Sequence, residues 1–147
     1  MGQTTILITV DTVKLKNGGS PQSCITVSQT GDGIFLVYPS NPENDCSEVY
    51  LGDDITWSGV AQPVDPPNPP PIINITSIVI PPNFGAPLSG NSTGGGSTVI
   101  RQAESLMDQP LPSTIYFNIN GNESESKRLY HDPKIRVIRN PNPLLGA

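Results

Sequence analysis

The chain is short of the residues that enzymes use for catalysis. It has one histidine, two cysteines and only 14% charged residues among 147. General acid–base catalysis needs titratable groups placed together, and no zinc, phosphate-loop or dinucleotide motif appears. The one histidine, His131, adjoins Asp132, but neighbouring residues on a strand point to opposite faces and so would not form a proton relay. We therefore expect a protein that is not an enzyme.

The chain also lacks long apolar runs and a leader segment. No apolar stretch approaches the ~18 residues that would span a bilayer, so no membrane partner is expected. The residues after Met1 form neither a basic nor an apolar leader region. We expect a cytoplasmic protein and keep an extracellular location as the alternative. Cys24 and Cys46 would be free thiols in a reducing compartment and could be bridged in an oxidising one, so their pairing stays open.

Short β-branched segments, separated by Pro, Gly, Asn and Asp, are what the chain has in abundance. Apolar and polar residues alternate within several of them, which is typical of half-buried strands. The spacing predicts a single all-β domain over residues 1–147, an antiparallel β-sandwich of the immunoglobulin-like or jelly-roll-like kind with about eight to ten strands. The main segments are Thr4–Val10, Cys24–Val27, Ile34–Tyr38, Ile72–Ile80, Thr114–Ile119 and Ile135–Ile138.

The 17 prolines and 14 glycines mark the connections. Prolines concentrate at 63–71, which predicts an extended connector because proline fixes φ and donates no backbone hydrogen bond. Residues 81–97 predict a long Gly-rich loop, and loops of this length are usually functional or disordered. Thr30–Gly33 has the composition of a tight hairpin. The one plausible short helix is Val99–Asp108, which combines Ala, Glu, Leu and Met.

The segment Ile72–Ile80 is the longest strand candidate, and it is apolar on both faces. Alternation places Ile73, Ile75 and Val79 on one face and other isoleucines on the opposite face. A strand with two apolar faces is typical of a central position in a sheet, or of an interface on its second face. Both interpretations are kept.

Charge is distributed unevenly along the chain. Residues 1–125 hold three basic and twelve acidic side chains, a balance of −9, whereas residues 126–147 hold five basic and one acidic, a balance of +4. An acidic body with a basic end could pair head to tail with its own copies. The alternative is that the last strand carries a solvated charged face, and both interpretations are kept. A sequence pI near 4.6 argues against a nucleic-acid partner. The residues assigned to self-association are Lys127, Arg128, Arg136 and Arg139.

Aromatic and acidic residues suggest a second function, carbohydrate binding. Sugars stack on exposed aromatic rings and donate hydroxyl hydrogen bonds to Asp and Asn. Trp57 alternates in phase with Ile55, which predicts a core position for the indole. Tyr116 is out of phase with its apolar neighbours, so we assign it, with Asp53 and Asp54, to a candidate glycan site.

The acidic residues of the predicted loops raise the question of a metal. Loop carboxylates are typical calcium ligands, but the spacing here matches no EF-hand, and Asp is common in turns because it bonds the local backbone. We expect no cofactor and no metal site, and keep calcium as the alternative. The residues concerned are Asp32, Glu43, Asp45, Glu48, Asp53 and Asp54.

Four segments, taken in order, resemble the PixA/AidA-type family of bacterial inclusion-body proteins. That family has a strand ending in Asp-Thr, a Tyr-Met-Val-like strand, a Gly-Asp-x-Ile-x-Trp segment and a closing aromatic-x-Asp-Pro-x-Ile segment. The prolines at 63–71 and the glycine run at 90–96 depart from it. The matching segments are Ile6-Leu-Ile-Thr-Val-Asp-Thr, Ile34-Phe-Leu-Val, Leu51-Gly-Asp-Asp-Ile-Thr-Trp and Tyr130-His-Asp-Pro-Lys-Ile-Arg-Val.

The resemblance implies a β-sandwich without known catalytic residues that accumulates inside cells. Together with the charge pattern, it favours a non-enzymatic, self-associating structural protein whose partners are copies of itself. The alternative is a lectin-like module whose partners are glycans.

Overall fold

We describe the protein from a computed structural model, which covers residues 2–12, 14, 24–40, 44–62, 72–86, 98–119, 129–131 and 133–141. The regular elements described in full are all strands, so the all-β prediction is confirmed. The proline-rich connector at 63–71 lies outside these residues, as do 87–97 of the Gly-rich loop. The eleven strands are β1 (Gln3–Asp11), β2 (Ile25–Gly31), β3 (Ile34–Leu36), β4 (Cys46–Tyr50), β5 (Asp54–Gln62), β6 (Ile73–Val79), β7 (Val99–Gln102), β8 (Leu111–Pro112), β9 (Thr114–Ile119), β10 (Leu129–His131) and β11 (Lys134–Ile138).

The strands form three sheets. Sheet I has the order β2-β1-β5-β7, sheet II the order β10-β9-β6, and sheet III the order β3-β4-β11-β8. Two pairings are parallel, β1 with β5 and β4 with β11. The prediction of purely antiparallel sheets is therefore wrong. Sequence patterning sets which residues face inwards, but it does not set which distant strand becomes the neighbour.

The chain passes between sheets at turns that the sequence predicted as hairpins. Gly31, with φ of +102°, ends β2, and the chain then enters β3 in sheet III instead of folding back on β2. The expected hairpin at Thr30–Gly33 is therefore wrong. The Asp32 amide donates to the Gln3 carbonyl (3.1 Å), and the Gly33 amide donates to Thr4 Oγ1 (3.0 Å). These bonds hold the turn against β1, which is the strand that pairs with β2.

Strand β6 differs from its predicted alternation because it carries a bulge. Its register against β9 shifts between Ile75 and Ser77. One extra residue moves the following side chains to the other face. Ile78 is therefore buried, whereas Val79 is 60% exposed although it was expected to face inwards with Ile75. The strand is also an edge strand of sheet II, so the prediction of a central position is wrong.

The predicted helix at Val99–Asp108 is absent. Val99–Gln102 is strand β7, which pairs antiparallel with β5 and places Val99 opposite Trp57. The next residues are held by Asn83, whose side-chain amide donates to Ser105 Oγ (2.9 Å) and to the Leu106 carbonyl (2.9 Å). Tertiary pairing here overrides the local preference of Ala, Glu, Leu and Met for a helix.

One buried cluster draws side chains from all three sheets. Alternate residues of β1 and β5 point into it, and the largest of its side chains is Trp57, which is fully buried as predicted. Inward-facing residues of β4, β6, β9 and β11 also belong to the cluster, as do Phe84, Ala103 and Met107 from outside the strands. Its large, fully buried aliphatic members are Ile6, Ile8, Val10, Val49, Ile55, Ile73, Ile115, Ile135 and Val137.

Over the portion of the chain that the structure covers, we find no helix with the length and apolar character needed to cross a bilayer.

Candidate functional site

The Leu51–Asp54 turn carries two of the three residues assigned to a glycan site. It links β4 of sheet III to β5 of sheet I. Gly52 adopts φ of +90°, a conformation that favours glycine. The Leu51 amide donates to the Ile138 carbonyl (2.9 Å), and the Asp53 amide donates to the Tyr50 carbonyl (3.1 Å). These two bonds fix the turn to sheet III, and the Gly52 amide donates to the carbonyl of Ala103 (2.8 Å), which follows β7 of sheet I.

The Asp53 side chain is buried under this turn, at 5% exposure. Its Oδ1 accepts a hydrogen bond from the Gly2 amide (3.0 Å), which fastens the start of β1 to the turn. Its Oδ2 has no hydrogen-bond partner among the described residues. Burial, and to a smaller extent the nearby Asp32 carboxylate, raises the pKa of Asp53 above its usual value, against the lowering effect of the Gly2 bond.

The space around Gly2 shows how tightly this corner is packed. A Cβ atom at Gly2 would overlap the Asp32 carboxylate and would lie 2.9 Å from Asp53 Oδ2. The Gly2 carbonyl also accepts a hydrogen bond from the Asp54 amide (3.1 Å). Asp32 and Asp53 thus approach each other across a glycine. Over the described part of the chain, no group of three or more His, Cys, Asp or Glu side chains is placed to hold a metal ion.

The other residues of the same segment also serve the fold. Ile55 and Trp57 are fully buried on one face of β5. The indole contacts the ring of Phe84 edge to face, with centroids 5.9 Å apart and planes at 71°. The Leu51-Gly-Asp-Asp-Ile-Thr-Trp segment therefore shapes a turn, anchors β1 and fills the core.

The structure does not bring Tyr116 to these acidic residues. Tyr116 is half-buried in the middle of β9 in sheet II, where it lies opposite Ser77 of β6. Asp53 lies in the turn before β5, and Asp54 is the first residue of β5 in sheet I. Their hydrogen bonds go to Gly2, Tyr50 and neighbouring backbone, not to β9. The glycan assignment of these three residues stays a prediction, without a shared site.

The basic residues assigned to self-association have different surroundings. Arg136 is half-buried, and its guanidinium donates to the carbonyls of Met107 (Nε, 3.3 Å) and Asp108 (Nη2, 3.0 Å). Arg139 is exposed. Lys127 and Arg128 lie outside the described residues. Arg136 therefore ties β11 to the loop before β8.

A cleft on the outer face of sheet III is lined by aromatic, amide, thiol, acidic and basic side chains, a wider range than the Leu51–Asp54 turn offers. It holds about 310 Å³, and strand register explains its composition. Residues of β3, β4 and β11 that lie side by side point outwards, with Leu36 beside Cys46 and Cys46 beside Lys134. The lining residues are Leu36, Tyr38, Asn44, Cys46, Glu48, Pro110, Lys134 and Arg136.

The polar groups of this cleft, which we call the sheet III cleft, are organised around an exposed ring. Tyr38 is 45% exposed, and its backbone amide donates to Asp45 Oδ1 (2.7 Å). The Lys134 ammonium donates to Asn44 Oδ1 (2.9 Å). A flat ring bordered by an amide, a carboxylate and two cations is suited to a polar ligand with several hydroxyl or carboxylate groups.

The surroundings of the Cys46 thiol in this cleft disfavour its thiolate form. Cys46 is buried, and its Sγ contacts the Ser47 carbonyl (3.7 Å). Burial, followed by the negative charge of Glu48, raises the pKa of the Cys46 thiol to about 11, against the lowering effect of Arg136 and Lys134. A thiolate is the reactive form, so Cys46 is not placed as a nucleophile. Cys24 is also buried, and the structure places neither cysteine in a disulfide.

Comparisons with known proteins support the fold. No protein-family model matches the sequence, and no curated protein matches it. The structure is similar to the crystal structure of the inclusion body protein PixA from Burkholderia cenocepacia J2315, with a TM-score of 0.53 and 12% sequence identity. The match covers 92% of this chain and 95% of that chain. The resemblance to PixA-type proteins indicated by the four segments is confirmed at the level of fold.

Sequence reasoning missed the sheet III cleft because its residues come from four separate segments. In the sequence Tyr38 is only the last residue of the segment Ile34–Tyr38, and Glu48 is only a predicted loop carboxylate. In the structure Glu48 lies within β4, opposite Ile34 and Arg136. The parallel pairing of β4 with β11 brings them together, and no local signal in the sequence predicts that pairing.

Proposed function

We propose that this chain is a non-enzymatic structural protein that associates with copies of itself, in the manner of an inclusion body protein. The neighbour of similar fold is an inclusion body protein, which supports this class. A cytoplasmic location is part of the same proposal.

The observation that carries the proposal is an exposed apolar rim at the end of β3. Ile34, Val37 and Tyr38 are 49%, 58% and 45% exposed and lie within five residues of one another. Single exposed apolar side chains are common, but several close together in the chain favour an interaction surface. The chain as a whole has 14% charged residues, so little repulsion opposes contact between copies.

Sedimentation velocity of the full chain tests this function. We expect the weight-average sedimentation coefficient to rise with protein concentration. Replacing Val37 by Asp should weaken the association, whereas Leu106→Asp, a matched change at an exposed apolar residue outside the rim, should not. A monomer at every concentration would contradict the proposal. Repeating the series in high salt measures how much the basic end contributes, because salt screens charge pairs.

We also propose that the three sheets form the two layers of a β-sandwich. Close contact of sheet I with sheet II supports this arrangement. A Cβ atom at Gly59 of β5 would lie 2.5 Å from Ile73 Cγ2 of β6, so the two strands approach closely. An experimental structure that separates β5 from β6 would contradict it.

Carbohydrate binding is the second candidate, and the sheet III cleft favours it. An exposed Tyr38 ring bordered by Asn44, Glu48 and Lys134 offers stacking and hydrogen bonds in one place. A glycan array, run with calcium and with chelator, tests it. Binding that is lost in Tyr38→Ala but kept in Tyr116→Ala would locate the site in the cleft. The opposite result would favour the site predicted from sequence, and silence under both conditions would remove this function.

A further inference from the structure

We propose that the outer edge of β2 is the surface on which a second copy of this chain docks. The two β2 strands would pair antiparallel about a two-fold axis through Ser28. The inference rests on the proposed self-association and names one contact for it, separate from the apolar rim at the end of β3. The result would be one continuous sheet of eight strands, four from sheet I of each copy.

The six sheet edges that the structure describes differ in how they are protected. Natural edge strands avoid unwanted pairing by being short, by carrying charge or proline, or by a bulge. Strands β3 and β10 have three residues each, β8 has two including Pro112, β7 has four including Arg101, and β6 is bulged between Ile75 and Ser77. Only β2 has none of these features among the described edges.

Strand β2 has the regularity that pairing needs. It spans Ile25–Gly31, and it keeps an unbroken register of seven residue pairs with β1 on its inner side. It contains no charged residue and no proline. No strand in the described ranges pairs with its outer edge. An edge strand presents a row of backbone donors and acceptors, so this edge can accept another strand.

The two faces of β2 have opposite characters. Ile25 and Val27 are half-buried and pack against the core, whereas Thr26, Ser28 and Thr30 are exposed. The exposed face is therefore a ladder of hydroxyls. Thr and Ser pairs across antiparallel strands stabilise a sheet through hydrogen bonds. A second β2 strand would extend this ladder.

The sequence of β2 is self-complementary about Ser28. An axis there places Thr26 opposite the partner's Thr30 and Ser28 opposite the partner's Ser28. Val27 then lies opposite the partner's Gln29. The first charged residue beyond the strand, Asp32, falls opposite the partner's Cys24, so no like charges are opposed between residues 24 and 32. In a chain of net charge −5, an uncharged edge is the surface where copies approach with least repulsion.

Cysteine cross-linking tests the contact and its register together. Opposed residues of an antiparallel pair have Cα atoms about 4.5–5.5 Å apart, within the range that a disulfide spans. Ser28→Cys should therefore form a covalent dimer under mild oxidation. The wild-type chain, with its two buried cysteines, is the baseline.

Position 26 supplies the matched control. Thr26 of one copy would lie four residues, about 13 Å, from the partner's Thr26 along the strand, too far for a disulfide. Thr26→Cys alone and Thr30→Cys alone should therefore stay monomeric on denaturing gels. The double variant Thr26→Cys with Thr30→Cys should cross-link, because each new thiol faces the other on the partner.

A charge variant gives an independent measure. Ser28→Lys opposes two lysines at the axis and should weaken association by about tenfold or more. Thr76→Lys places the same charge on the exposed face of the bulged strand β6 and should leave association unchanged.

The outcomes separate the two proposals. Association of the wild type, with cross-linking at Ser28 and in the double variant only, supports the β2 contact. Association that is insensitive to Ser28→Lys, with Ser28→Cys cross-linking no better than Thr26→Cys, overturns the β2 contact and leaves the proposed function standing. A wild type that is monomeric throughout overturns both.

Discussion

The Leu51–Asp54 turn and the outer edge of β2 differ in where their backbone groups find hydrogen-bond partners. In the turn, the amides of Leu51, Gly52, Asp53 and Asp54 all donate to carbonyls of the chain. Along the outer edge of β2, no described strand supplies such partners. The backbone amides of the turn are hydrogen-bonded within one molecule, whereas the outer backbone groups of β2 are bonded by a second copy in the proposed contact.

The acidic turn looks like a ligand site in the sequence and the uncharged β2 edge does not, but the structure makes the edge the more accessible of the two. The turn is acidic and contains a recognisable motif, which suggests ligand binding, yet Asp53 is buried and bonded to Gly2. The edge has only Thr, Ser, Gln and aliphatic residues and suggests nothing catalytic. A carboxylate that is buried inside the fold is inaccessible to a partner, whereas a strand whose outer backbone groups have no described partner strand is accessible.

The largest expected effect is at Trp57, which closes the motif that begins with the turn. Trp57→Ala should lower the free energy of unfolding by about 3–5 kcal/mol, because a fully buried aromatic side chain leaves a cavity. Urea denaturation followed by circular dichroism measures it. Tyr38→Ala, at an exposed ring, is the control and should change stability by less than about 0.5 kcal/mol. A loss of under about 1 kcal/mol at Trp57 would mean that the motif is not structural.

The next effect is at Asp53. Asp53→Ala should cost about 1–3 kcal/mol, because it leaves the Gly2 amide without its acceptor. Asp53→Asn keeps an oxygen for that amide and removes the charge, so it should cost much less. Comparable losses in both variants would show that the charge, not the hydrogen bond, holds the turn.

The pH dependence of Asp53 has a definite sign. The pKa is raised in the folded protein, so the folded state binds more protons than the unfolded state between the unfolded pKa, near 3.9, and the higher folded pKa. The contribution of Asp53 to stability is therefore fully present below about pH 4 and is lost as pH rises through the folded pKa. Urea titrations at several pH values should show Asp53→Asn gaining stability relative to wild type as pH rises. A constant difference would contradict this sign.

A smaller effect on stability is expected at the basic end of the chain, where two arginines differ in their internal hydrogen bonds. Arg136→Gln should lower stability by about 1–2 kcal/mol, because the guanidinium donates to the Met107 and Asp108 carbonyls. Arg139→Gln, at an exposed position, should change stability by less than about 0.5 kcal/mol. If instead Arg139→Gln destabilises as much as Arg136→Gln, the internal bonds of Arg136 are not what stabilises this region.

The smallest expected effect on stability is on the edge itself. Ser28→Lys should change the free energy of unfolding, measured at a concentration where the protein is monomeric, by less than about 0.5 kcal/mol, since the side chain is exposed. Its effect belongs to association. A loss above about 1 kcal/mol in the monomer would show that β2 needs Ser28 for its own fold.

The sequence predicted the inner faces of the strands well where local alternation decides. Ile6, Ile8 and Val10 alternate and are buried, and Trp57 is buried in phase with Ile55. Alternation failed at β6 because a bulge shifted its phase after Ile75, and a bulge of this kind has no marker in the sequence. Local patterns describe one strand at a time, and a bulge depends on the neighbouring strand.

Long-range pairing was the other limit. The parallel neighbours β1–β5 and β4–β11 join segments about 50 and 90 residues apart in the chain, and no local pattern predicts such pairing. The sheet III cleft depends on the second of these pairs, and the outer position of β2 depends on the first. Neither surface could therefore be predicted from the sequence, although the sequence contains all of their residues.

Hydrogen exchange at low and high protein concentration tests the central claim most directly. Amides of β2 should exchange more slowly at high concentration, because half of them face the outer edge and gain partners there, while amides of Leu51–Asp54 should be equally protected at both concentrations. Protection that is independent of concentration along β2, or that rises on β6 instead, would contradict the account.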